Sequence, residues 1–261
     1  MTTASSPPLC ERAAEERADL APLFADLVWP RSMIDAVLEG CVGTVTAGAG
    51  DAPGVAALHA QVFHLLGGDP SLPAAADLVQ SLPAGQLVVG SAAWYALVKE
   101  RRERAPESWY WRTYDHTRLD ASELKRLAGG AHAAYEILPL DAGLLSRVSQ
   151  NRDQTETEHA FRSDAELLES GFGYCAVQED RVRSVAVTFT RSSSAVEAQI
   201  NTHQEHRRRG LATATCASLV LRALEEGLEP HWSAANRRSE GLAEKLGFVP
   251  ESRREVLYLP R

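Results

Sequence analysis

The sequence has few of the features that mark secreted, metal-binding and membrane proteins. Its cysteines are scattered and form no C-x-x-C pair, which favours a reducing compartment and predicts neither a zinc site nor a disulfide framework. No apolar run approaches the ~20 residues that a membrane-spanning helix needs. The polar, acidic N-terminal segment lacks the basic and then apolar order of a signal peptide. We therefore expect a soluble, cytoplasmic protein with no membrane partner.

Positive charge is also scarce. The 261 residues carry a formal net charge of −8. Residues 1–134 contain 11 basic and 16 acidic side chains, and residues 135–261 contain 16 and 19. Neither half has the basic excess of a nucleic-acid-binding module, so we expect no nucleic acid partner. An acidic protein is a better host for a cationic small molecule.

The sequence is rich instead in apolar segments of strand and helix length. Hydrophobic residues make up 44% of the chain, enough for one large domain or two modest ones. In the first half, predicted strands alternate with predicted helices, among them one over 55–66 and one that Ser91 caps. In the second half, predicted helices come first and antiparallel strands follow. A strand, a loop and a helix come after these. We predict an α/β fold with a mixed sheet, divided into domains at 1–125 and 126–261.

The second half is organised around residues 195–248. The alternation of apolar and polar residues over 196–201 predicts a half-buried strand. A basic turn and Gly210 follow, and an Ala- and Leu-rich helix begins there. The first turn of a helix has N–H groups without partners and attracts anions, while glycine lets a ligand approach the backbone closely. The segment predicts a phosphate-binding turn; the alternative is an ordinary turn with exposed arginines.

These residues resemble the GNAT (Gcn5-related) N-acetyltransferases. Residues 207–212 (RRRGLA) match the family's R/Q-x-x-G-x-G/A signature, and Asn236, Ser239 and the KLGF at 245–248 follow its downstream pattern. Three further segments are similar to the branch named after zwittermicin A self-resistance, namely 171–174, 196–202 and 230–236. The resemblance is close over the second half and looser over the first. It implies a C-terminal GNAT fold, after an N-terminal α/β domain that could be a degenerate copy of the same fold.

The resemblance also implies acetyl-CoA as the cofactor and assigns its contacts. The backbone of one strand would hold the pantetheine arm, and the turn after it would hold the pyrophosphate, with arginines adding charge-assisted contacts. In the family the Asn equivalent to Asn236 hydrogen-bonds the pantetheine, and Ser239 can contact it; a plain helix N-cap is the alternative for Asn236. No metal is expected. The predicted cofactor-binding residues are Ile200, Asn201, Thr202, Arg207, Arg208, Arg209, Gly210, Leu211, Ala212, Asn236 and Ser239.

The predicted catalytic residue is Glu197. It lies ten positions before Arg207, where many members of the family carry their catalytic Glu. Amines with a pKa of about 10 arrive protonated, so a base must accept a proton. A salt-bridged surface carboxylate is the alternative for Glu197, and His203 is a second candidate base.

The general acid is where the sequence departs from the family. Many members carry a Tyr seven residues after the Asn, and that position is Ala243 here. The acid could be Ser239, a water or Tyr258, or the thiolate could leave unaided.

We expect direct transfer of acetyl from acetyl-CoA to a primary amine of a small, antibiotic-like molecule, by a monomer or homodimer. The alternatives are a protein or peptide amine, and a non-catalytic acyl-CoA-binding sensor, which Ala243 would support. The acidic charge disfavours an aminoacyl-tRNA acceptor. An aromatic set could line an acceptor pocket or belong to the core: Trp94, Trp109, Trp111 and Tyr114.

Overall fold

The structure is a computed structural model that describes residues 8–131, 133–150 and 158–261. The chain divides into two compact units. The first contains the described residues up to Trp29, together with Ile34–Trp111 and Arg254–Arg261; the second contains Pro30–Met33 and the described part of Arg112–Arg253. The predicted boundary at 125/126 lies inside a helix of the second unit and stays a prediction. Of the helices in the described ranges, none combines the length and the apolar character that a membrane crossing requires.

The first unit is built on a mixed sheet. Its strand order is β1-β2-β3-β4-β5-β12, in which β4 and β5 are parallel and the other neighbours are antiparallel. Two 3-10 segments, Ala14–Glu16 and Ala18–Phe24, follow β1. The elements are β1 (Leu9–Glu11), β2 (Thr44–Gly48), β3 (Val55–Ala60), β4 (Phe63–Gly68), α2 (Pro73–Ser81), β5 (Leu87–Val89), α3 (Ala92–Arg101) and the end of β12 (Val249–Tyr258). Helix α1 (Arg31–Leu38) and strand β6 (Glu107–Asp115) each have residues in both units.

Helices α2 and α3 supply the core of the first unit. Leu78 and Trp94 are fully buried there against Leu66, Val88 and Leu257. The cap predicted for α3 is confirmed, because the Ser91 hydroxyl accepts the Trp94 N–H. Of the aromatic set, Trp94 therefore belongs to the core.

The helix predicted over 55–66 is wrong. This segment forms β3 and β4, which pair antiparallel from Val55 opposite Gly68 to Ala60 opposite Phe63. Gln61 makes the turn with a φ of 54°. Both strands are buried on both faces, so no polar alternation marks them, and their alanines and leucines also suit a helix. The turn between them contains neither glycine nor proline.

A buried histidine pair joins these two strands. His59 lies opposite His64, and their Nδ1 atoms are 2.5 Å apart. His59 Nε2 also lies 3.0 Å from the Thr46 hydroxyl. Burial lowers the pKa of His59, and burial together with the charge of His59 lowers the pKa of His64 to about 4. Both rings are therefore neutral near pH 7.

We expect this pair to weaken the fold in acid. The unfolded chain protonates His64 near pH 6.5, whereas the folded chain does so only near pH 4. The contribution of the neutral His64 ring to the free energy of unfolding is complete above pH 6.5 and is lost as the pH falls toward 4. The loss is roughly 3 kcal/mol, at 1.36 kcal/mol per pKa unit. Urea unfolding of the wild type and of His64→Leu checks this, because the difference in their free energies of unfolding should change by that amount between pH 4 and 6.5. A difference that stays constant would contradict the assignment.

The strands of the second unit are also paired in a mixed arrangement. The strand order is β6-β11-β10-β9-β8-β7, in which β10 and β11 are parallel and the other neighbours are antiparallel. The predicted mixed α/β fold is confirmed. The elements are α4 (Ala121–Ala128), β7 (Glu136–Pro139), α5 (Ala142–Gln150), α6 (Asp164–Ser170), β8 (Gly173–Gln178), β9 (Arg181–Arg191), β10 (Ala195–Thr202), a 3-10 segment (Gln204–His206), α7 (Leu211–Glu225), β11 (Glu229–Ala234) and α8 (Arg237–Leu246).

Helices α4, α7 and α8 cover one face of this sheet. Val196, Trp232 and Tyr114 point into that core, so Tyr114 also belongs to the core rather than to a pocket. Cys216 and Cys175 are fully buried. Burial raises the pKa of the Cys175 thiol to about 12 and also raises the pKa of the Cys216 thiol, so neither is a reactive thiolate near neutral pH.

The order of elements repeats along the chain. The repeated order is four antiparallel strands, a helix, a parallel strand, a second helix and a last strand. Its first occurrence is β1–β4, α2, β5, α3 and β6, and its second is β7–β10, α7, β11, α8 and β12. The last strands are exchanged. The end of β6 pairs with β11 in the second unit, and the end of β12 pairs with β5 in the first.

Candidate active site

Glu197 is held in the middle of the second unit's sheet. On β10 it lies opposite Thr190 of β9 and His231 of β11, and its side chain is only 4% exposed. The Ser233 hydroxyl donates a hydrogen bond to Glu197 Oε1. Glu197 Oε2 is buried and has no partner among the described residues. The interpretation of Glu197 as a salt-bridged surface residue is therefore wrong.

The surroundings of Glu197 favour its neutral form. Burial raises the pKa of its carboxyl to about 7, and the hydrogen bonds from Ser233 oppose this rise. A carboxyl group with a pKa near ambient pH can both accept and release a proton. The role of Glu197 as the base stays a prediction, and its raised pKa is compatible with it.

Beyond Glu197 the two parallel strands stop pairing. The ladder between β10 and β11 covers Ala195–Glu197 opposite Glu229–His231, although both strands continue. On its other side β10 stays paired with β9 as far as Thr202. In the described structure, residues 198–202 of β10 therefore have no ladder partner on the edge that faces β11. The predicted pantetheine-contacting residues lie on this stretch and are partly buried: Ile200, Asn201 and Thr202.

The predicted phosphate-binding turn begins where β10 ends. Arg208 and Gly210 adopt left-handed backbone conformations, with φ of 63° and 80°, and α7 starts directly after Gly210. No described side chain caps the N-terminus of α7, and its first turn carries no acidic residue. The Leu211 side chain is buried, so Leu211 would act through its backbone, as would the partly buried Ala212. The uncapped N–H groups fit a bound pyrophosphate.

The three arginines of the turn are exposed, and two of them are held by hydrogen bonds. Arg207 Nε donates to the Thr202 carbonyl at 3.1 Å. Arg209 Nη1 donates to the Tyr135 hydroxyl at 2.9 Å, and the same hydroxyl lies 2.8 Å from His206 Nδ1. Tyr135 comes from the start of the segment that leads into β7. No sequence pattern links Tyr135 to this turn, because 74 positions separate it from Arg209.

We expect Tyr135→Phe to weaken acetyl-CoA binding about fivefold. The substitution removes the hydroxyl that fixes Arg209 and keeps the ring, which packs against Leu211 and Ala176. A fivefold loss is about 1 kcal/mol, the usual net value of one hydrogen bond. Calorimetric titration with acetyl-CoA measures it, and Tyr114→Phe in the core of the same unit is the matched control. Equal affinities for the wild type and Tyr135→Phe would show that the hydroxyl has no part in the turn.

Asn236 caps α8. Its Oδ1 accepts the N–H groups of Arg238 and Ser239 at 3.0 and 3.1 Å, so the N-cap interpretation is confirmed. Its exposed amide NH₂ can still donate to a ligand, and the pantetheine contact stays a prediction. The Ser239 hydroxyl accepts the Trp232 indole N–H at 3.0 Å and keeps its own proton. Ala243 is fully buried in the core, so nothing at that position can donate a proton.

The second candidate base, His203, is buried at the start of the turn. Its Nδ1 accepts the Glu205 N–H at 3.2 Å, which places the proton of the neutral ring on Nε2. His231 Nδ1 accepts the Ser32 N–H in the same way. Each ring would have to give up a hydrogen bond or a proton before it could bind a metal. Both belong to groups of three side chains whose possible ligand atoms lie within 4.8 Å: His203, Glu205 and His206, and His116, Glu229 and His231.

Comparison with known proteins gives the same fold. A family model described as GNAT acetyltransferase matches residues 21–257. The crystal structure of a GCN5-related N-acetyltransferase-like protein from Streptococcus suis 89/1591 is similar, with a TM-score of 0.79 and 24% identity, over 94% of this chain and 98% of that one. A tandem GNAT protein from the clavulanic acid biosynthesis pathway has a TM-score of 0.55 and 14% identity, over 96% and 97%. The predicted GNAT fold is confirmed.

A curated relative is similar over a shorter stretch. It is a Bacillus subtilis (strain 168) protein named uncharacterized N-acetyltransferase YdfB, 27% identical over 103 residues. The match covers 39% of this chain and 40% of that protein, less than half of either.

Proposed function

Because the chain belongs to the GNAT acetyltransferase family, we propose that it transfers the acetyl group of acetyl-CoA directly to a primary amine of a small molecule. The buried Glu197 carries this proposal. Its Oε1 is fixed by Ser233, its Oε2 has no partner among the described residues, and burial raises its pKa to about 7. A carboxylate is costly to bury without a pairing charge, so a polar task accounts for its place better than stability does.

The binding residues of this proposal are those of the turn and of the unpaired strand edge. When bound, acetyl-CoA supplies the acetyl group as a thioester. The N–H groups at the start of α7 and the guanidinium groups of Arg207, Arg208 and Arg209 bind the pyrophosphate. The backbone of Ile200–Thr202 and the NH₂ of Asn236 bind the pantetheine arm.

Glu197 Oε2 takes the proton that the acceptor ammonium must lose. An amine of pKa about 10 is protonated at neutral pH and cannot attack in that form. Burial of the ammonium lowers its pKa and so reduces the difference between that pKa and the pKa of Glu197. Ser233 anchors Oε1, and so directs proton transfer to Oε2.

The departing thiolate does not require the family's Tyr. A thiol with a pKa of about 8.5 gives a tolerable leaving group. The Ser239 hydroxyl, which accepts from Trp232 and retains its proton, is able to donate on the α8 side. Tyr258 lies in the first unit, where its ring stacks on Trp109 at 4.6 Å.

The zwittermicin-type segments favour a small, antibiotic-like acceptor over a protein or peptide amine. We also propose that the protein acts in the cytoplasm, as a monomer or homodimer. The buried Ala243 favours the second candidate, an acyl-CoA-binding sensor without turnover. We also propose that residues 1–125 descend from a second GNAT copy, since the order of elements repeats and a tandem GNAT protein has a similar fold.

Release of free CoA thiol from acetyl-CoA tests the function. The full chain is incubated with a panel of small primary amines and, separately, with lysine-containing peptides. Release with small amines supports the proposal, and release with peptides alone moves the activity to protein amines. Tight acetyl-CoA binding without release in either arm identifies the sensor.

A further inference from the structure

We propose that Glu197, Thr190 and Gln199 form an ammonium-binding site that selects acceptors with an unsubstituted primary ammonium group. The inference rests on the proposed function and assigns the residues that would recognise its acceptor.

Three side-chain oxygens in this region lack partners. Glu197 Oε2, Thr190 Oγ1 and Gln199 Oε1 are buried and form no hydrogen bond with any described residue. The Thr190 side chain is fully buried and that of Glu197 nearly so. Buried polar atoms are nearly always paired, so an unpaired group needs an explanation. Three such acceptors in one region indicate a ligand that donates hydrogen bonds.

The strand register places the three side chains on one face of the sheet. Thr190 lies directly opposite Glu197, and opposite residues of an antiparallel pair have Cβ atoms about 5 Å apart on the same side. Gln199 follows Glu197 by two positions and so shares its face. The intervening Ala198 packs on the helix-covered core. The site therefore lies on the opposite face from α7.

A β-bulge contributes to this arrangement. Glu197 pairs with Thr190, but Ala198 pairs with Thr188, so Phe189 is an extra residue in β9. Bulges bend a strand and redirect its side chains. Without the bulge, the register that pairs Ala198 with Thr188 would bring Phe189 instead of Thr190 opposite Glu197. The bulge thus places the Thr190 hydroxyl beside the carboxylate.

The chemistry of the site matches a primary ammonium. A primary ammonium has three N–H donors and no acceptor, and the site offers three acceptors, one of them a carboxylate. An N-methylated ammonium has fewer donors, and a trimethylammonium has none. In the reaction one N–H proton moves to Glu197 Oε2, which turns the ammonium and carboxylate into an amine and a carboxylic acid. Until attack, the other two N–H groups stay hydrogen-bonded to Thr190 Oγ1 and Gln199 Oε1 and hold the amine in the site. As the C–N bond forms and the C–S bond of the thioester breaks, one of these two protons leaves with the thiolate as the CoA thiol, so the amide keeps a single N–H.

Binding of n-butylammonium to the full chain in the presence of CoA tests the site, with ligand-observed NMR titration as the measurement. We expect the wild type to bind n-butylammonium and to bind neither n-butyltrimethylammonium nor n-butanol detectably. Thr190→Val and Gln199→Leu should each weaken binding about tenfold, as expected when a hydrogen bond to a charged group is lost. Thr215→Val is the matched control, because Thr215 is a buried threonine of α7 whose hydroxyl is bonded to the Leu211 carbonyl.

Failure of the site and failure of the proposed function give different results. Three results would overturn the site. The wild type does not bind n-butylammonium, it binds n-butyltrimethylammonium equally well, or both folded variants bind n-butylammonium with the affinity of the wild type. Both variants should fold, because each removes an unpaired polar atom rather than a contact. If binding depends on Thr190 but no amine releases CoA, the ammonium site stands and acetyl transfer falls. If amines turn over and their KM is unchanged in both variants, acetyl transfer stands and the ammonium site falls.

Discussion

Glu197→Gln should remove nearly all acetyl transfer while leaving acetyl-CoA binding intact. Gln keeps the shape of the side chain and can still accept from Ser233, but it cannot take a proton. Loss of a positioned general base lowers kcat by about 10²- to 10⁴-fold. Steady-state CoA release and calorimetric titration of the same protein measure the two effects. A variant with wild-type kcat would exclude Glu197 as the base.

The same substitution should stabilise the protein at high pH. The carboxyl of Glu197 has a pKa of about 7 in the folded chain against 4.5 in the unfolded chain. Its contribution to stability is complete below pH 4.5 and is lost as the pH rises through 7, by roughly 3 kcal/mol. Gln does not ionise, so the free energy of unfolding of the variant should exceed that of the wild type increasingly over this range. A difference that stays constant with pH would show that Glu197 titrates alike in both states.

The pH dependence of the wild-type rate follows from the same carboxyl group. Since the base must be ionised, kcat/KM should rise with pH, with a midpoint near 7, and then level off. The acceptor amine titrates at about pH 10, well above this midpoint, and so does not obscure it. Ser233→Ala removes a hydrogen bond that lowers the pKa of Glu197, so the midpoint should move upward. A midpoint unaffected by Ser233→Ala would separate this titration from Glu197.

Gly210→Glu should abolish measurable acetyl-CoA binding, a loss of at least about 100-fold. The new carboxylate would lie at the N-terminus of α7, where the pyrophosphate is expected, and would repel it. The residue would also have to keep a φ of 80°, which L-residues with a side chain adopt at a cost. Crowding has no part, since the nearest atom to an added Cβ is the Gly130 carbonyl oxygen at 3.7 Å.

Gly227→Glu is a closely matched control for that experiment. Gly227 follows the other end of α7 with a φ of 73°, and nothing lies within 4 Å of an added Cβ. The two variants therefore share the backbone strain and the charge and differ in position. Loss of binding in Gly210→Glu alone, with both proteins folded, supports the turn as the cofactor site. Equal loss in both would indicate a general effect on folding, and wild type that does not bind would remove the assignment altogether.

Local patterns in the sequence were enough to predict the strand and the helix on either side of the candidate turn. The alternation of residues 196–201 and the position of Gly210 before an Ala-rich helix are features of neighbouring residues, and the structure has the strand and the helix there. The cap at Asn236 has the same local origin. Such features depend on helix termini and strand periodicity, which a short segment largely determines by itself.

The partners of Glu197 could not be predicted in this way. Ser233 and Thr190 reach it through the registers of two different strand pairs, and one of those depends on the bulge at Phe189. Registers follow from packing across the whole sheet. A partial signal for Ser233 was present, because polar His231 and Ser233 alternate with buried Trp232 along β11.

The exchange of the last strands has a consequence for how the chain folds during its synthesis. β5 is made early, but the part of β12 that pairs with it in the first unit's sheet is made about 170 residues later, as Leu257 opposite Val88 shows. Until then β5 presents an open edge to the crowded surroundings of the ribosome, and such edges recruit other chains. The second unit receives its exchanged strand, β6, before its own strands are made. We therefore expect the second unit to mature first and the first unit to need protection by a chaperone until β12 arrives.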